Sequence, residues 1–146
     1  LEYQALKKRY CKKEHTLAVA IIDLDGFKAV NDTYGHSKGD DVLVEFAHVL
    51  QAATRHSDVV ARMGGDEFVV ILQDTDLKGI EDYAKRLRNS FLFSGLKQKF
   101  GIDFSMGIRI YNELPDNVDD ATHQADLLMY QSKAQGKSQT TIHAIL

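Results

Sequence analysis

The sequence contains a single cysteine and a single proline, and no apolar run approaches the roughly 20 residues that a membrane-spanning helix needs. Cys11 alone excludes an intramolecular disulfide and a cysteine-rich metal site, and a reducing cytoplasm is the expected compartment. Neither sign of charge prevails. The 18 basic and 21 acidic residues leave a formal net charge of −3, too small and too mixed to hold nucleic acid or a membrane surface through a broad field. A phosphate-bearing ligand would therefore have to be gripped locally. The opening Leu1-Glu2-Tyr3-Gln4 carries neither a signal-peptide pattern nor an initiator methionine, so the chain is expected to be a piece of a larger protein. Linkers, repeats and low-complexity tracts are missing too. Pro115 sits in a polar stretch that reads as a loop, and residues 1–146 are expected to form one domain.

What is present is enough apolar sequence for a core, 44% of the chain. Its spacing predicts a helix over 2–14 with Tyr3, Leu6 and Tyr10 on one face, then a central strand from Leu17 to Leu24. A second helix is expected from about Ser37 to Arg55, with Val42, Leu43, Phe46, Ala47, Leu50 and Ala53 inward. Two apolar runs, 59–63 and 69–72, read as a hairpin. A third helix follows Asp76, with Leu77, Ile80, Tyr83, Ala84, Leu87 and Phe91 inward, and 102–111 reads as a strand. A last helix spans 119–135 and stops at Gly136, before a strand over 140–145. The order β-α-β-β-α-β with a further α-β predicts an α+β fold of the ferredoxin-like kind, a mostly antiparallel sheet covered by helices.

Between the hairpin's apolar runs stands Gly64-Gly65-Asp66-Glu67-Phe68. The glycines suit a tight two-residue turn, which puts Asp66 and Glu67 beside the bend. The first strand ends Ile22-Asp23-Leu24-Asp25, so Asp23 and Asp25 leave it on one face. Either acidic pair alone is explained by turn capping or hairpin decoration. If the hairpin pairs beside that strand, the carboxylates converge, and a hard cation, Mg²⁺ or Mn²⁺, resolves the repulsion while leaving positions for substrate phosphate. A nucleoside triphosphate is the expected substrate. Lys28, just past Asp25, is placed to meet its phosphates. Asn31 and Asp40, in a segment dense in turn formers, are candidates to read a base edge; a carboxylate accepts the paired N–H donors of guanine. Asp40 is equally explained as an N-terminal helix cap.

Together the blocks Asp23-Leu24-Asp25-Gly26-Phe27-Lys28, Asn31 to His36, Gly39-Asp40 and Arg62 to Phe68 closely resemble the GGDEF domain family of diguanylate cyclases. The match continues through Ser105-Met106-Gly107, Ala125-Asp126, Tyr130, Lys133 and Gly136. The resemblance implies a nucleotidyl-cyclase-like sheet and condensation of two GTP into cyclic di-GMP, with release of two pyrophosphates across a homodimer within a signalling protein. It implies metal ligands in Asp23, the Leu24 carbonyl, Asp66 and Glu67. It also implies substrate contacts from Phe27, Lys28, Asn31, His36 and Asp40, and phosphate contacts from Lys28, Lys133 and Lys137. Asp66 is the candidate base, although spacing leaves open how it and Glu67 divide the work. Arg55-His56-Ser57-Asp58 resembles the family's RxxD inhibitory product site. The residues themselves also allow a structural account, with Arg55 complementing a helix end and Asp58 opening a strand. Lys137 stands where the family usually has arginine, which keeps the charge and loses the bidentate fork. The alternatives are a catalytically inactive domain that binds GTP or cyclic di-GMP, and a metal-dependent enzyme acting on another nucleotide. No chemistry is assigned to Cys11, His15, His48, His123 or His143.

Overall fold

Nine strand residues, Leu17–Asp25, form β1, and all but Asp23 are buried. A strand covered on both faces belongs at the centre of a sheet. In the computed structural model, which describes residues 3–10 and 16–144, β1 is the middle strand of five. The other strands are β2 (Val59–Gly64), β3 (Glu67–Gln73), β4 (Asp103–Tyr111) and β5 (Thr140–Ala144), in the order β2-β3-β1-β4-β5. β1 runs antiparallel to β3 and β4, β2 antiparallel to β3, and β5 parallel to β4. The first four strands thus have the ferredoxin-like arrangement, and the fold is α+β as expected.

Alternation along β1 divides the core in two. Ala18, Ala20, Ile22 and Leu24 join one cluster with Val42, Phe46 and Leu50 of α3 (His36–Ala53) and with Ile80, Leu87 and Phe91 of α4 (Leu77–Ser94). Leu17, Val19 and Ile21 face the other way, toward Leu6 of α1 (Tyr3–Arg9) and Ala121, Ala125 and Met129 of α6 (Val118–Ala134). In the first layer, Phe46 touches Phe68, Phe91 and Phe104 at ring-centroid distances of 5.3–5.9 Å, and such aromatic pairs add to simple area burial. In the second, Gly107 allows β4 and α6 to approach closely. A Cβ there would stand 2.1 Å from the Met129 nitrogen and 2.4 Å from the Ala125 carbonyl oxygen.

Several expectations need correction. Two short helices, α2 (Phe27–Tyr34) and α5 (Leu96–Phe100), were not foreseen; α2 is flanked by Gly26 and Gly35, both with φ above 80°. Leu77 is exposed rather than inward, because it opens α4 directly after its cap; Asp76 Oδ1 accepts a hydrogen bond from the Gly79 nitrogen at 2.8 Å. β2 is the edge strand of the hairpin read in the sequence, half-buried at Val59 and Val60 and exposed over 61–64. The helix over 119–135 is Val118–Ala134, followed by Gln135 as cap and Gly136 at φ 122°. Cys11, His15, the outer parts of the first expected helix and Ile145 lie outside the described residues. Among the described residues, no helix is long and apolar enough to cross a membrane.

Candidate active site

The exit of β1 is where the acids meet. Asp23 pairs with Glu67 across β1 and β3, and the Leu24 nitrogen donates to the Asp66 carbonyl at 3.2 Å, which docks the hairpin tip onto the strand. The turn itself is Gly65-Asp66, with Gly64 pairing with Glu67 after a register shift near Met63. Asp66 therefore stands in the bend rather than beside it. Gly64 and Gly65 take φ values of 143° and 53°, which other residues adopt at a cost. Arg62 Nε closes the tip on the Gly65 carbonyl at 2.9 Å.

α6 covers this exit with Lys133, whose ammonium lies 2.8 Å from Asp23 Oδ2 and 3.4 Å from Asp25 Oδ1. Burial pulls the pKa of Lys133 down, but its hydrogen bond to Asp23 and the charges of Asp23 and Asp25 outweigh that, and the net shift is upward. One ammonium does not balance the acids around it. Burial, then a side-chain hydrogen bond with Asp23 and the Asp23 charge, push the Asp66 carboxyl up to about 6. Glu67 is raised by burial and then by Asp126, Asp23 and Asp66. Asp126, on α6, is itself raised chiefly by burial, and its Oδ1 is buried with no hydrogen-bond partner. The motif reading included Asp126 but gave it no role. The packing of α6 over the strand exits brings its charge to bear on Glu67.

Asp25 does different work. Its Oδ2 accepts from Ser105 Oγ at 2.7 Å and from the Ser138 nitrogen at 3.0 Å, so this buried carboxylate anchors the loop after α6 to β1 and β4. That loop carries Lys137, exposed and left-handed at φ 63°.

α2 and α3 meet over Gly39. A Cβ there would fall 1.9 Å from Asn31 Oδ1 and 3.4 Å from Phe27 Cζ, so Phe27 and Asn31 lie against Gly39, next to Asp40. The cap of α3 is Gly35, which removes the capping explanation for Asp40. Asp40 instead rims a cleft of about 350 Å³ between α3 and β2, walled by Leu43, Ala47, Val60 and Phe68, with Arg62 at its edge. Lys28 on α2 and His36 at the start of α3 are exposed.

Arg55 and Asp58 form a tight turn before β2. Asp58, whose side chain is 1% exposed, accepts from Arg55 Nε at 3.1 Å and from the Gln73 nitrogen at 3.0 Å, while Arg55 Nη2 donates to the Gln73 carbonyl. The end of α3 is served by Arg86, which donates to the Ala53 carbonyl at 3.0 and 3.2 Å, and not by Arg55. Arg55, His56 and Asp58 line a second cleft of about 470 Å³, which shares Gln51 and Val60 with the first.

Among the described residues, no three acidic, histidine or cysteine side chains stand ready around one point as a metal cage. The donor set nonetheless suits a hard cation. Asp23 Oδ1 is buried without a partner, and the raised Asp66 and Glu67 carboxyls mark more negative charge than Lys133 offsets.

A family model described as diguanylate cyclase, GGDEF domain, matches residues 2–139. Diguanylate cyclase A of Treponema denticola is 36% identical over 136 residues, which cover 90% of this chain and 36% of that protein. The active GGEEF domain of a diguanylate cyclase from Vibrio cholerae superposes with a TM-score of 0.81 at 27% identity, covering 98% of this chain and 90% of that one. The GGDEF domain of DgcB from Caulobacter crescentus, solved in complex with c-di-GMP, gives a TM-score of 0.74 at 25% identity over 96% of this chain and 87% of that one. The chain spans less than half the length of the curated relatives it matches.

Proposed function

The chain belongs to the GGDEF domain family, and from that premise we propose that it is a diguanylate cyclase that condenses two GTP into cyclic di-GMP. The observation that carries this reading is the gathering of Asp23, Asp66 and Glu67 at one strand exit with uncompensated negative charge. Asn31 and Asp40 hold guanine at the α2–α3 corner, with Phe27 packed beside Asn31 and His36 at the rim. Lys28, Lys133 and Lys137 hold the phosphates. Lys133 exchanges part of its contact with Asp23 for a phosphate oxygen.

Asp66 is the general base. It stands in the bend beside Asp23, and in the metal-free chain burial and Asp23 raise its carboxyl above that of an ordinary aspartate. It takes the proton of the 3′-hydroxyl while that oxygen attacks the α-phosphorus of the GTP on a second copy. The bond to pyrophosphate breaks in line, and a second such transfer closes the ring. Asp23, the Leu24 carbonyl and Glu67, together with Asp66, are the groups that would hold Mg²⁺ or Mn²⁺. When bound, that ion would offset the charge that builds on the transferring phosphoryl group. Arg55 supplies a planar fork for the product's phosphodiester in the second cleft, where occupancy slows the enzyme.

The test is incubation of the chain, fused to a dimerising partner, with GTP and Mg²⁺, followed by chromatography. Cyclic di-GMP is expected, and Asp66→Asn is expected to abolish it. GTP binding without turnover by the forced dimer would overturn catalysis and leave a nucleotide-binding domain.

A further inference from the structure

Gln73 and Asp74, at the end of β3, are held from two sides. On one side is the Arg55–Asp58 turn. The Gln73 nitrogen donates to Asp58 Oδ1, Gln73 Nε2 donates to the Ser57 carbonyl at 2.7 Å, and the Gln73 carbonyl accepts from Arg55. On the other side is the end of α1. The Tyr10 hydroxyl donates to Asp74 Oδ1 at 3.0 Å and accepts from the Asp74 nitrogen at 3.1 Å, and Arg9 Nη2 lies 2.7 Å from Asp74 Oδ2. Tyr10 is fully buried. Asp74 is left-handed at φ 51°, a conformation that persists only where surrounding contacts hold it.

We propose that Gln73-Asp74 is a relay through which docking of α1 opposes binding of a cyclic dinucleotide in the Arg55–Asp58 cleft. The inference rests on the reading of that cleft as a product site and adds how the site is regulated. To grip a phosphodiester with its full fork, Arg55 must release the Gln73 carbonyl, so a charge-assisted bond at the end of β3 is lost. The same two residues fix the carboxylate and amide that receive Tyr10. Burial, then the hydrogen bond and charge of Asp74, push the Tyr10 hydroxyl up to about 12, which keeps it a proton donor throughout the physiological range. Ligand and helix therefore compete for one turn, and the competition is reciprocal: whatever loosens α1 tightens ligand binding, and ligand loosens α1.

The experiment uses the full chain with c-di-GMP as probe. Affinity is measured by calorimetry for the unmodified chain, Tyr10→Phe, Asp74→Gly and Arg55→Ala, and hydrogen exchange of residues 3–10 is followed with and without c-di-GMP. Tyr10→Phe removes one oxygen, and Asp74→Gly suits the left-handed backbone while removing the carboxylate. Both are expected to bind c-di-GMP more tightly, by about fivefold for the loss of one hydrogen bond's worth of opposition. Ligand is expected to speed exchange in α1. If both variants bind with unchanged or weaker affinity while Arg55→Ala loses binding, the relay is overturned and the product site stands. If the unmodified chain does not bind, or if Arg55→Ala binds as well as it does, the product site is overturned and the relay with it.

Discussion

At the scale of single residues, the site is a problem of charge. Asp66 is ordinary in sequence and unusual in place, because burial and Asp23 raise its carboxyl from 3.8 to about 6. A carboxyl raised by folding holds its proton better in the native state, so its ionisation opposes the fold. Its penalty is absent below about pH 4, grows between the unfolded and folded pKa values, and is complete above about pH 6. Without divalent ions, Asp66→Asn is expected to stabilise the domain at pH 7 by about 1 kcal/mol after allowance for solvent screening. The gain should vanish at pH 3.5, as read by melting at the two pH values; an equal effect at both would contradict it. Asp126 acts one step further out. Asp126→Asn removes a charge that raises Glu67, so the Glu67 carboxyl should titrate at lower pH in the metal-free chain, as followed by NMR of the side-chain carboxyls, and an unmoved titration would place Asp126 outside the site. The acids at 23, 66 and 67 were legible because strand pattern and turn chemistry are local. The bond from Lys133 to Asp23, the place of Asp126, and the hold of Gln73 on Arg55 were not, because each depends on how distant elements pack.

At the scale of elements, two glycines set two distances. Gly107→Ala would drive a methyl group into the backbone of α6, and neither β4 nor α6 can yield cheaply. The expected loss is about 1–3 kcal/mol, seen as a lower Tm, with reduced turnover as Lys133 moves from Asp23. Gly39→Ala meets a side-chain tip instead, Asn31 Oδ1. Asn31 should swing aside with little change in Tm, while the KM for GTP rises; unchanged KM would remove Asn31 from the guanine site. The long elements were readable from their periodicity. α2 was not, because Asn31-Asp32-Thr33 between two glycines has the composition of a turn, and the helix is seated by Val30 in the core and by Phe27 and Asn31 against Gly39. α5 is five residues long, too short for a period to register. The exposed outer half of β2 was hidden for a related reason: apolar composition does not distinguish an edge strand from a central one.

At the scale of the whole molecule, one copy carries one set of acids and one α2–α3 corner, while the proposed reaction joins two nucleotides. Turnover per domain should therefore rise with protein concentration and become independent of it in a covalently fused dimer, as measured by product formation across a dilution series. A rate per domain that is constant on dilution of the unfused chain would argue against reaction between copies. The sheet also decides when a site exists at all. Asp25 Oδ2 accepts from the Ser138 nitrogen, 113 residues further along the chain, and β1 stays uncovered until β3, β4 and α6 have arrived. Contacts of such separation form slowly and late. On the ribosome, a nascent chain holds its acidic strand exit without counter-charge until nearly all of the domain has emerged. Completion of the site therefore waits for α6 and the loop that follows it.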